Sequence, residues 1–274
     1  MKIGIIGTGN MGRILVEAFI DGKAVSPISL MITNRTKSKA LMLKNKYKDI
    51  KVGRSAGEVA TESDLVFLCV KPLDVFPIIQ EISPFLTKDK CLISITSPIS
   101  TEQIENIVDC SVVRAIPSIT NRALAGVSLL TYGNHCNPVW KVYVQQLFAK
   151  ISVPVEIEEK VTRVASDIVS CGPAFFSFLI QRFIQAAVSE TGIEERMATK
   201  LASEMIVGFG NLIKQGHYTL PTLMEKVIVK GGITGVGINV LEEELGEVFE
   251  HVFQATQEKF QEDLVKVKLQ LSNK

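Results

Sequence analysis

Lys2-Ile3-Gly4-Ile5-Ile6 runs directly into Gly7-Thr8-Gly9-Asn10-Met11-Gly12, and Arg13 to Phe19 continue it as a helical stretch. A short apolar strand, a G-x-G-x-x-G turn and a helix, in that order, form the opening of a dinucleotide-binding βα unit. Gly7 permits the tight turn out of the strand. Gly9 lets backbone approach a pyrophosphate with no Cβ in the way. Gly12 lets the helix pack closely on the strand, so that its N-terminal N–H groups point at the phosphates. Gly7, Thr8, Gly9, Asn10, Met11 and Gly12 are the candidate cofactor-binding residues of this loop.

The next strand candidate, Ile28 to Thr33, tests which dinucleotide is meant. A ribose 2′-hydroxyl is held by Asp or Glu about 20 residues past the glycines. Here the strand is followed by Asn34-Arg35-Thr36-Lys37-Ser38-Lys39. No carboxylate is present to repel a 2′-phosphate, and the planar guanidinium of Arg35 suits one. Asn34 and Arg35 are thus expected to read NADP(H).

Strand candidates recur at 50–53, 64–70, 91–96, 111–116 and 127–131, and helices fit 10–21, 36–47, 73–84 and 101–108. This alternation predicts a doubly wound, mostly parallel sheet of Rossmann type. The run Asp64 to Val70 is apolar after its first residue, as a strand covered on both faces must be. It ends at the carboxyl edge, where such sheets bind ligands, and makes Cys69, Val70, Lys71 and Pro72 further cofactor candidates; the last three are expected on the nicotinamide side. Beyond about residue 155 the pattern becomes helical: 156–187 with a break at Gly172-Pro173, then 194–215, 220–229 and a long helix from Val236 to about Lys268. Two domains are expected, 1–155 for the dinucleotide and 156–274 for substrate and dimerisation. So elongated an apolar helix set does not satisfy itself in one small domain, which predicts a subunit interface.

Composition narrows the partners. The 274 residues carry 30 basic and 29 acidic side chains, a net charge of +1, so no nucleic-acid footprint or anionic-membrane patch is implied. Five cysteines without a C-x-x-C and three isolated histidines indicate neither a disulfide framework nor a metal site. The apolar stretch near Cys171 reads as too short to cross a bilayer, and the first strand leaves no room for a signal peptide. A soluble, cytoplasmic protein is expected.

Gly231-Gly232-Ile233-Thr234-Gly235 lies between two helical stretches. Consecutive glycines before a helix expose backbone N–H groups as an anion nest, and Thr234 adds a hydroxyl; as plain structure the same residues make a turn with Thr234 as N-cap. Taken together, Ile3 to Gly12, Val70-Lys71-Pro72, Val113-Arg114-Ala115-Ile116-Pro117, Gly172-Pro173-Ala174 and Gly231-Gly232-Ile233-Thr234 with Leu241-Glu242 resemble the pyrroline-5-carboxylate reductases over nearly the whole chain. The resemblance implies that Lys230, Gly231, Gly232, Ile233 and Thr234 hold the carboxylate of a cyclic imine, with Thr234 at the catalytic position. It also implies reduction of the C=N bond at the expense of NADPH, as in proline biosynthesis, and dimers or larger homo-oligomers formed through the helical domain.

Within that family the chain is most similar to a divergent paralogue encoded in a late-competence operon of Gram-positive bacteria. Val229-Lys230 replaces the family's Ser-Pro before the glycines. Ile116-Pro117-Ser118-Ile119-Thr120 replaces Met-Pro-Asn-Thr-Pro. Ala56 replaces a cofactor-touching Asn, Leu73 a Gln, and Ser97-Pro98 an Ala-Gly pair. Two functions stay open: an NADPH-dependent reductase of a small imine acid, and a dinucleotide-binding regulatory paralogue with weak or no turnover. A β-hydroxyacid dehydrogenase, a family that shares the first twelve residues but carries a catalytic Lys on the helix after the second glycine motif, is disfavoured, because no lysine lies between Lys160 and Lys200.

Overall fold

A computed structural model describes residues 1–272. Its sheet has eight strands: β1 (Ile3–Ile6), β2 (Leu30–Thr33), β3 (Lys51–Val52), β4 (Leu65–Leu68), β5 (Cys91–Ser94), β6 (Ser111–Ile116), β7 (Val127–Tyr132) and β8 (Val153–Glu156). Their order is β3-β2-β1-β4-β5-β6-β7-β8, parallel throughout except where β7 runs antiparallel to β6. The fold is a Rossmann-type α/β sheet followed by helices. The crossover helices are α1 (Asn10–Asp21), α2 (Lys37–Lys46), α3 (Ala56–Glu62), α4 (Pro72–Ile82), α5 (Thr101–Glu105) and α6 (Pro138–Ala149).

Alternation along β1 divides the core in two. Ile3 and Ile5 join the layer under α1, α2 and α6, where Phe19, Phe67 and Phe148 meet with ring centroids 5.5–6.2 Å apart. Ile6 joins the opposite layer with Val59, Phe76 and Ile79. Between α1 and α2 the buried Glu17 carboxylate accepts from Lys46 at 2.9 Å, Arg122 at 2.9 Å and Arg13 at 3.3 Å. Burial alone would raise its pKa; the bonds and charges of Lys46 and Arg13 outweigh that and hold it below the ordinary value.

The remaining helices are α7 (Thr162–Ser166), α8 (Gly172–Thr191), α9 (Glu195–Gln215), α10 (Leu220–Val227), α11 (Ile233–Leu245) and α12 (Val248–Ser272). By compactness the chain forms two units: Met1–Pro173 with the segment from Ala255 on, and Ala174–Gln254. In the second unit α10 and α11 bury no residue and α9 buries only Ala198 and Ala202, while Phe176, Phe178 and Phe183 of α8 lie exposed.

Several sequence expectations are corrected. Helices α3 and α6 and strand β8 were not anticipated. Gly172-Pro173 does not break the helix; a π-turn over Asp167–Cys171 leads straight into α8. The expected helix from Val236 to Lys268 is two, divided at Gly246, whose φ of +49° suits glycine. The apolar run near Cys171 is also longer than expected. Glu159–Thr191, 33 helical residues, is long and apolar enough to cross a membrane.

Candidate functional site

The three glycines of the first loop answer to three different constraints. Gly7 sits at φ +100°, and a Cβ there would collide with the Cys69 carbonyl. A Cβ on Gly12 would strike the Gly7 carbonyl, so α1 packs against the loop only because it is missing. At Gly9 a Cβ would meet nothing within 4 Å. Gly9 is also the N-cap of α1 and offers no side-chain cap, which leaves the first N–H groups of the helix without a partner from the cap. A bare slot in front of free N–H groups is what a diphosphate requires.

The end of β2 is tied to this loop. Asn34 accepts the Thr8 N–H at 2.9 Å and donates to the Thr36 carbonyl at 3.0 Å, so both ends of its amide are engaged. Arg35 is 89% exposed and, among the described residues, is held only by a long ion pair to Asp74 at 3.9 Å. Beside it opens a cleft of about 540 Å³ that runs from Gly7 and Gly9 past Arg35, Lys39 and Arg54 to Val70, Lys71 and the flank of α4. Four cations, Arg35, Lys39, Arg54 and Lys71, face two carboxylates, Asp74 and Glu81. Ala56 lines the same cleft. Cys69 forms part of the floor, and burial pushes its thiol far up, so it stays neutral and serves as a small apolar surface.

Val70 and Lys71, expected at the nicotinamide side, therefore share one cleft with Asn34 and Arg35. Lys71 N-caps α4 and Pro72 occupies its first position. Thr8 and Asn10 face a second depression of about 400 Å³ with Arg13, Glu17, Lys39 and Lys46. The Thr8 hydroxyl is buried and has no hydrogen-bond partner among the described residues. Sequence reasoning overlooked Lys39, Arg54, Asp74 and Glu81. Arg54 had a visible signal, because Ser55-x-x-Glu58 is an N-terminal helix signature placed right after β3.

The second candidate set lies on the other unit. Gly231 is at φ +74°, and Gly232, not Thr234, is the N-cap of α11, again without a side-chain cap. Thr234 stands in the first turn, half-buried, while Lys230 and Ile233 are exposed.

Ser118 is fully buried rather than open to a ligand. Its hydroxyl donates to the Val169 carbonyl at 2.6 Å, and Ser170 donates back to the Pro117 carbonyl at 2.9 Å. Pro173 has no N–H to give Val169, four residues earlier, and Ser118 supplies the missing donor. Arg114, also buried, fastens β6 to the helices beyond it through Glu159 at 2.7 Å and the Thr162 hydroxyl.

Comparison with known proteins agrees with this architecture. A family model described as pyrroline-5-carboxylate reductase dimerisation matches residues 159–263, and one described as NADP oxidoreductase, coenzyme F420-dependent, matches residues 2–98. ComE operon protein 4 of Bacillus subtilis is 55% identical over 270 residues, covering 98% of this chain and 99% of that one. Pyrroline-5-carboxylate reductase 3 of the same organism is 26% identical over 95% of this chain and 96% of its own. The crystal structure of the Plasmodium falciparum pyrroline carboxylate reductase with NADP bound shares the fold, with a TM-score of 0.81 at 24% identity over 98% of both chains. The chain belongs to the pyrroline-5-carboxylate reductase family and has the fold of its NAD(P)-dependent oxidoreductases.

Proposed function

We propose that the protein is an NADP(H)-dependent oxidoreductase of a small cyclic imine acid, taking 1-pyrroline-5-carboxylate to proline. The observation that carries this reading is the bare slot at Gly9 opening into a cleft with an excess of cations and no carboxylate at the end of β2. NADP(H), when bound, would supply the hydride. Gly7, Gly9 and the first turn of α1 would hold its diphosphate. Arg35, with Lys39 and Arg54, would take the 2′-phosphate, while Asn34 keeps the loop in place. The uncapped N-terminus of α11, with Gly231, Gly232 and Thr234, would hold the substrate carboxylate, and Lys230 would add a charge. A cyclic imine is easily protonated, so little general-acid help is needed and the residues act chiefly by positioning. The exposed apolar faces of α8–α11 support a homodimer or larger homo-oligomer, and the cytoplasm is the compartment this reading implies.

A second reading, a dinucleotide-binding regulatory paralogue with weak turnover, rests on Ser118 and Val229. The first is committed to Val169, and the second offers no hydroxyl where the family has one. The test is NADPH oxidation by the purified protein with pyrroline-5-carboxylate, alongside NADPH and NADH affinities. The expected outcome is turnover that Thr234→Ala abolishes. Arg35→Ala should weaken NADPH about tenfold or more and leave NADH nearly unchanged, in line with the loss of a charge-assisted contact. Tight NADPH binding without turnover would select the regulatory reading. Equal losses for both cofactors would remove the NADP assignment.

A further inference from the structure

Pro77 lies inside α4, one wall of the cleft. A proline cannot donate to the carbonyl four residues before it, so the Leu73 carbonyl loses its helical partner. The carbonyl stands at the exposed start of α4, where a side chain or water must take the place of the missing helical donor. The partner comes from the far end of the chain: Gln270 Nε2, near the end of α12, donates to the Leu73 carbonyl at 2.9 Å. Three residues earlier Val267, 1% exposed, is sunk into the core layer that holds Val75, Phe76 and Ile79 of α4. Gln270 Oε1 is buried with no hydrogen-bond partner among the described residues, so the donated N–H is what the amide contributes.

We infer that Gln270 is a positioning residue for the cofactor cleft: the end of α12 is a latch that completes α4 where Pro77 leaves it open. Leu73 sits in the first turn of α4, between Lys71 and Asp74, which face the cleft. A loose first turn displaces both charges and the neighbouring Arg35–Asp74 pair. The inference builds on the proposed reading of the cleft as a dinucleotide site.

The test uses the full-length protein, with NADPH affinity and hydrogen exchange over residues 70–82 as separate readouts. Gln270→Ala is expected to speed exchange in the first turns of α4 and to weaken NADPH binding about three- to tenfold, the range of a single net hydrogen bond. Gln270→Glu keeps the shape, removes the N–H and should behave the same way, which separates donation from packing. In a Pro77→Ala background the new N–H of residue 77 can meet the Leu73 carbonyl, and Gln270→Ala should then change neither readout. Unchanged exchange in Gln270→Ala, or an undiminished effect in the Pro77→Ala background, overturns the latch. Should the unsubstituted protein bind no NADPH, the cofactor reading falls and the role in cofactor positioning falls with it. The exchange data still decide whether Gln270 orders α4.

Discussion

Two glycines three residues apart make opposite demands, and they can be separated. Gly12→Ala forces a Cβ into the Gly7 carbonyl, so it should lower stability by about 3 kcal/mol or more and depress the melting temperature with or without cofactor. Gly9→Ala adds a methyl in open space, so melting should hardly move while NADPH binding is lost. A Gly9→Ala protein that binds NADPH normally would place the diphosphate elsewhere. The loop was legible because each glycine stands at a fixed offset from an apolar strand. Asn34 was less legible: its type suits a ligand contact, but its amide is engaged by Thr8 and Thr36, a pairing that depends on how β1 and β2 align. The partner of Ser118 was equally hidden. The serine's burial and its bond to Val169 arise from a residue 51 positions away, and no local pattern announces them.

At the scale of elements, α1, α2 and the 3-10 turn Ile119–Ala123 meet at Glu17. Burial works against its ionised form, and Lys46 and Arg13 more than compensate, so its pKa lies below the ordinary 4.5. The resulting stabilisation is complete above the unfolded-state value and disappears as pH falls through the lower folded-state value. Glu17→Gln should therefore be less stable at neutral pH, by about 1–3 kcal/mol, and its deficit should shrink on acidification. Melting temperatures of both proteins across the acid range measure this; a deficit that grows with acid contradicts it. The elements that sequence reading missed are short or interrupted. Helix α3 has only seven residues, and β8 carries Pro154, which ordinarily argues against a strand and is tolerated here at the sheet edge. The first position of α6 was announced by Asn137-Pro138, an N-cap and a helix-starting proline. The π-turn before Pro173 could not be foreseen, since apolar spacing does not distinguish it from a kink.

At the scale of the molecule, the sheet unit holds two packed layers, whereas α9–α11 have almost no interior of their own. The protein should sediment as a dimer or larger at micromolar concentration. Phe176→Asp with Phe183→Asp, seven residues apart on one face of α8, should shift it toward monomer. A wild-type monomer, or a double variant that stays assembled, would refute the covered face. The exposed phenylalanines of α8 belong to Glu159–Thr191, the segment that is long and apolar enough to cross a membrane. If those faces find their cover only in another copy, the two halves of the chain obey different kinetic laws. The sheet unit can fold at a rate indifferent to dilution, but the helical unit completes itself in a bimolecular step. Renaturation from denaturant would then show one phase that ignores protein concentration and another that slows with each dilution. In the cell, yield would depend on how many nascent copies meet before a protease or an unrelated sticky surface finds them.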